Sequence, residues 1–204
     1  MNEKDLLSEK RGINSRQQMK NISPIENMHG SSKKTGTVLI FSFIGNISQK
    51  VLENVAVRNN VCVPSNEQAL KNAATRLLSH YPSFLIGLGA YSGKDKDKLR
   101  IERMCSNAFR NTITGDTPEA LHISDFLMPT ENTKLAQGIG NGYCNLISYT
   151  IAKIIHQRKL KTQYGFIHIP KEFPVDIAAE EINTIIKTLH IPTYRIQRDL
   201  DRIC

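Results

Sequence analysis

Thr37-Val38-Leu39-Ile40-Phe41-Ser42-Phe43 and Ser83-Phe84-Leu85-Ile86-Gly87-Leu88-Gly89 are the two stretches whose reading decides the fold. Each is a short apolar run, rich in β-branched and aromatic residues and closed by glycine, which predicts a strand covered on both faces. Between them, Leu70, Ala73, Ala74, Leu77 and Leu78 repeat at helical spacing. Ser65 or Asn66 stands where an N-cap belongs, and Tyr81-Pro82 stops the run. Strand, helix and strand in this order predict a right-handed βαβ unit, hence a parallel sheet with helices against it. Gly45-Asn46 ends the first strand, Ser48 caps a short helix over Gln49 to Val57, and Val61 to Val63 is a further short strand.

Further along, Lys98 to Phe109 reads as one strand, and residues 110 to 140 as loop. A helix from Cys144 to Arg158 buries Leu146, Ile147, Ile151, Ile154 and Ile155, and a strand follows over Gln163 to Ile169. Val175 to Leu189 is a last helix, with Ile182, Ile185, Ile186 and Leu189 on one face. Thr193 to Cys204 reads as a short strand or helix. The expected architecture is α/β: a three-layer α/β/α sandwich with a mostly parallel central sheet, occupying residues 36–204. Residues 1–35, polar and poor in large apolar side chains, read as a flexible N-terminal tail.

Composition narrows the function. The chain has 204 residues, 40% hydrophobic and 23% charged, enough for one α/β domain. No apolar run reaches the roughly 20 residues of a membrane helix, and Met1 to Lys20 has no apolar signal core. No membrane partner and a cytoplasmic location are the expectation. The net charge of +8 permits loose association with anions, but the basic residues are scattered among acidic ones and no nucleic-acid module accompanies them. Cys62, Cys105, Cys144 and Cys204 show no paired spacing, which argues against zinc and against a disulfide scaffold. Cys62 and Cys105 read as small buried hydrophobes, and Cys204 as an exposed thiol.

Chemistry gathers at Gly138-Ile139-Gly140-Asn141-Gly142-Tyr143-Cys144, a glycine-punctuated loop leading into a helix. A helix N-terminus is expected to lower the thiol pKa and to aim backbone N–H groups at a developing oxyanion. His168 interrupts the apolar strand Gly165-Phe166-Ile167-His168-Ile169-Pro170, and Glu102 interrupts Leu99-Arg100-Ile101-Glu102-Arg103. A buried histidine needs a partner, and a carboxylate on a neighbouring strand would supply it. Of the three, Glu102 carries the weakest signal, because a strand-borne glutamate usually faces solvent. The remaining histidines show no metal spacing.

The segments Gly87-Leu88-Gly89, Ile101-Glu102-Arg103, Gly142-Tyr143-Cys144-Asn145 and Gly165-Phe166-Ile167-His168-Ile169-Pro170, in this order, resemble the pyroglutamyl peptidase I family of cysteine peptidases. The resemblance spans about Thr37 to Leu189. It implies Cys144 as nucleophile, His168 as general base and Glu102 as the group orienting the imidazole. It further implies substrate-binding positions at Phe43, Gly89, Ala90, Tyr91, Arg110 and Asn145. The substrate would be a peptide with a blocked, pyroglutamyl N-terminus, and neither metal nor organic cofactor is implied. The chain departs from the family pattern in a shorter loop after the first strand, Phe41 to Asn46, which lacks the family's proline. Ala90 stands where the family carries glutamine, and the segment between Glu102 and Cys144 is about twenty residues shorter. That shortening implies a missing helix and edge strand, an exposed sheet edge and self-association into a homo-oligomer. The alternative left open is a non-catalytic relative that binds a peptide or a protein.

Overall fold

Val38–Phe43 (β1), buried along its whole length, lies inside a six-stranded sheet, as its continuous apolar run requires. The structure, a computed structural model of the chain, describes residues 37–113, 115 and 119–189. The expectations for residues 1–35 and for Thr193 to Cys204 lie outside the described residues.

After β1 come Ile47–Asn54 (α1), Asn60–Val63 (β2), Glu67–Ser79 (α2), Phe84–Tyr91 (β3) and Leu99–Glu102 (β4). Next are the short strands Met104–Ser106 (β5), Ala108–Phe109 (β6), Thr112–Ile113 (β7), Ala120–His122 (β8) and Thr133–Ala136 (β9). Tyr143–Arg158 (α3), Gln163–Pro170 (β10) and Val175–Thr188 (α4) complete the order. The main sheet runs β2-β1-β3-β10-β4-β9. Its first four strands are mutually parallel; β4 runs antiparallel to β10, and β9 parallel to β4. This is the expected mostly parallel α/β sheet with helices against it.

The alternation of side chains along each strand divides the core in two. Phe41, Phe43, Leu85, Tyr164 and Phe166 pack with buried residues of α2 and α3. Ile40, Ile86, Ile101, Ile167 and Ile169 pack with α1 and α4. Helices thus cover both faces, and the thiol-bearing helix lies on the first.

Several boundaries differ from the sequence reading. The cap of α1 is Asn46, whose Oδ1 accepts from Ser48 N at 2.8 Å, and the helix ends at Asn54. Asn66 caps α2, accepting from Ala69 N at 2.9 Å. The single strand expected over Lys98 to Phe109 is divided into three. At Arg103 the chain leaves the main sheet, and Met104–Ser106 pairs instead with Ala120–His122. The segment read as loop contains β9, which pairs with the far side of β4 and forms that end of the sheet. Four residues with one apolar position facing outward (Leu135, 50% exposed) give too short a period to register as a strand. Cys105 is buried, whereas Cys62 is half-buried, its Sγ 3.4 Å from Ser42 Oγ.

Candidate active site

Parallel pairing of β3 and β10 sets His168 beside Gly89. Side chains at paired positions of neighbouring strands share a face about 5 Å apart. On that face Cys144 Sγ lies over Gly89, close enough that a Cβ built on the glycine would meet it at 2.8 Å. Thiol and imidazole therefore share one face of the sheet, both beside Gly89, where the C-terminal ends of β3 and β10 meet the first turn of α3, the usual place for ligands in open α/β sheets. Gly89 needs to be glycine for this close approach, not for its backbone angles. In the loop before Cys144, Gly140 is the glycine at positive φ (+86°), a conformation that favours glycine.

The antiparallel pairing of β4 with β10 sets Arg100 opposite His168 and Glu102 opposite Phe166. Glu102, fully buried, reaches back to His168, and its Oε1 stands 2.8 Å from Nδ1. A carboxylate there requires Nδ1 to carry the proton, which leaves Nε2 as the basic nitrogen. Phe166 packs edge-on against the imidazole, with centroids 5.1 Å apart, and Tyr91 lies on another side at 5.8 Å. Oε1 of Glu102 also accepts from Arg100 Nε at 3.1 Å, while Oε2, equally buried, has no hydrogen-bond partner among the described residues.

The thiol itself departs from expectation. Burial pushes the Cys144 pKa up from 9.0 to about 12; the backbone N–H at Cys144 pulls the other way, and the negative charge of Glu102 adds to the rise. Desolvation outweighs that backbone N–H, and the Cys144 thiol pKa is held well above its ordinary value. Gly142 caps α3 without a side-chain bond, which leaves the first-turn N–H groups, Cys144 among them, outside the intrahelical ladder.

The remaining candidate residues divide. Gly89 seats the thiol, and half-buried Ala90 and Tyr91 follow it at the strand end. Arg110 joins the site from the tip of the β6–β7 hairpin, where Arg110 and Asn111 both take positive φ (+48° and +67°). Its N–H donates to Asn141 O at 2.8 Å, and its guanidinium donates to the hydroxyl of Tyr143, the residue before Cys144. Asn141 Nδ2 completes the clamp on Asn111 Oδ1 at 2.6 Å. Asn145, by contrast, is fully buried: it accepts from Ser106 N (2.9 Å) and donates to Ser106 O (2.8 Å) and Ala108 O (2.5 Å). Those bonds tie α3 to β5 and β6 and engage both ends of the side-chain amide. Phe43 is likewise core, its ring packed against Phe41 and Phe166.

Arg100 and the Asn141–Asn111 clamp are members of the site that the sequence reading does not single out. For Arg100 a signal exists. In Leu99-Arg100-Ile101-Glu102 the apolar and polar residues alternate, so any strand there puts Arg100 on the face of Glu102. Among the described residues no group of three or more His, Cys, Asp or Glu side chains is placed to hold a metal ion, and no helix is long and apolar enough to cross a membrane. A hollow of about 410 Å³, lined by His122, Asp125, Phe126 and His156 among others, lies toward the C-terminal half of α3, away from Cys144.

No protein-family model matches the chain, and no curated protein matches it in sequence. Solved structures do match. The pyrrolidone carboxyl peptidase from Thermococcus litoralis superposes with a TM-score of 0.61 at 16% identity, over 74% of this chain and 92% of that one. The pyroglutamyl peptidase I of Bacillus amyloliquefaciens gives 0.60 at 17%, over 72% and 93%. The pyrrolidone carboxyl peptidase from Thermus thermophilus gives 0.58 at 19%, over 74% and 99%. The chain has the fold of these peptidases.

Proposed function

We propose that this chain is a divergent cysteine peptidase of the pyroglutamyl peptidase I type, which removes an N-terminal pyroglutamyl residue from a peptide through Cys144, His168 and Glu102. The observation that carries the reading is the buried 2.8 Å contact of His168 with Glu102, on the strand beside the glycine that seats the thiol. The shared fold supports it.

In this reading Nε2 of His168 takes the thiol proton as Sγ attacks the carbonyl carbon of the pyroglutamyl residue. Because the thiol is neutral at rest, proton transfer and attack go together. Glu102 holds Nδ1–H and stabilises the imidazolium that forms. The Cys144 N–H, on the first turn of α3, donates to the oxyanion. Collapse of the tetrahedral intermediate breaks the C–N bond, and the departing amine takes its proton from His168. Water, deprotonated by the same nitrogen, then hydrolyses the thioester and returns the thiol.

Ala90, Tyr91 and the short Phe41 to Asn46 loop support a specificity altered from that of the reference reaction. The test is release of a fluorescent amine from a pyroglutamyl amide by wild type and Cys144→Ala. The expected result is thiol-dependent turnover that the variant loses. Absence of turnover by folded wild type, or equal turnover by both, would reject the proposal. The first of these would favour a peptide-binding relative.

A further inference from the structure

Arg100 has no task in the reaction above, although it touches the buried carboxylate. Its Nε donates to Oε1 of Glu102 at 3.1 Å, the same oxygen that meets His168 Nδ1 at 2.8 Å. Its Nη1 donates to the Tyr91 hydroxyl at 2.7 Å, and its Cζ lies 4.2 Å from the centroid of that ring. The side chain is 15% exposed, so this is a nearly buried cation held on two sides. Oε2 of Glu102 has no partner among the described residues, so Arg100 and His168 between them hold the carboxylate through a single oxygen.

We propose that Arg100 is a positioning and charge-balancing residue: anchored by Tyr91, it fixes the Glu102 carboxylate against His168 and offsets its negative charge at Cys144. The physical need is plain. An uncompensated carboxylate opposes formation of a thiolate nearby, and a guanidinium in contact with that carboxylate cancels most of its field. Other charged and titratable groups lie on the neighbouring elements: His168 on β10, Tyr143 on α3 and Arg110 at the β6–β7 hairpin. From the β3–β4 connection and β9 come Asp95 and Lys134, which pair at 2.9 Å; Asp95 stands 3.8 Å from Arg100 Nη1. Asp95 and Lys134 are more exposed and largely offset each other, which leaves Arg100 as the cation in contact with Glu102.

The positioning half of this inference rests on the proposed reaction; the charge half does not, and the experiment separates them. The rate of Cys144 alkylation by iodoacetamide, read by peptide mass at fixed neutral pH, needs no substrate. R100Q is expected to slow alkylation roughly tenfold, the order of one uncompensated unit charge acting on the thiol at an effective dielectric near 20. R100K keeps the charge and is expected to stay within about twofold of wild type. In hydrolysis of the pyroglutamyl amide, R100K is expected to lose roughly tenfold in kcat with KM little changed, because an ammonium cannot span Glu102 and Tyr91 as the planar fork does. Alkylation of R100Q at the wild-type rate, or equal slowing in R100Q and R100K, would overturn the proposal. If R100Q does not fold, Arg100→Met, which keeps the apolar stem against Tyr91, carries the same expectation. If wild type does not turn over the amide, the pyroglutamyl reading fails, and alkylation still decides the role of Arg100.

Discussion

Gly89→Ala isolates the geometry on which the reading of this site depends. The added Cβ would stand 2.8 Å from Cys144 Sγ, 2.8 Å from Phe166 Cζ and 2.9 Å from Phe166 Cε1. Comfortable contact between such atoms needs about 3.5–4.0 Å, so thiol and ring must retreat by roughly 1 Å. Overpacking of this kind costs about 1–3 kcal/mol of stability. A misplacement of about 1 Å at a nucleophile costs on the order of 100-fold in rate. Gly87→Ala provides the control. Its Cβ would press on Phe166 Cδ2 at 2.5 Å and Phe41 Cζ at 2.6 Å, and the thiol is not among its nearest atoms. The two variants are therefore expected to lose similar stability in urea denaturation. Per folded molecule, Gly89→Ala alone is expected to lose about 100-fold in kcat/KM on a pyroglutamyl amide. Folded Gly89→Ala with wild-type kcat/KM, or a loss in Gly87→Ala as large, would refute the placement of the thiol over Gly89.

Glu102→Gln is expected to move two readouts in opposite directions. Removing the carboxylate takes away one of the causes that raise the Cys144 pKa toward about 12, so alkylation should quicken severalfold, while turnover falls at least about 100-fold as the imidazolium loses its partner. Burial raises the Cys105 pKa from 9.0 to about 12. The unfolded chain releases that proton above pH 9 and the fold retains it to about 12, so stability should fall as pH rises across this window, by at most ~1.4 kcal/mol per pH unit for each such thiol. Chemical denaturation of Cys105→Ala over the same range should show a shallower decline. Asn145→Ala loses three hydrogen bonds to the backbone of β5 and β6 and is expected to lower the unfolding free energy by roughly 2–4 kcal/mol in urea titration.

Elements with a local period are legible in the chain itself. The apolar runs at Val38–Phe43, Phe84–Tyr91 and Gln163–Pro170 and the helical spacing of α2, α3 and α4 are properties of neighbours in the chain, so the sequence alone determined the α/β class and the parallel order. It also offered Cys144 and His168, because a cysteine at a helix start and a histidine inside an apolar strand stand out from their surroundings. The tertiary structure decided what depends on register between distant strands. Pairing of β3 with β10 puts the thiol over Gly89, and pairing of β4 with β10 gives Glu102 and Arg100 to His168. The strand β9 was invisible because four residues carry too few periods. The thiol shows the limit most sharply. Its place at the first turn of α3 argues for a lowered pKa, yet Sγ is packed over Gly89, a residue remote in sequence, and the burial of the sulfur prevails.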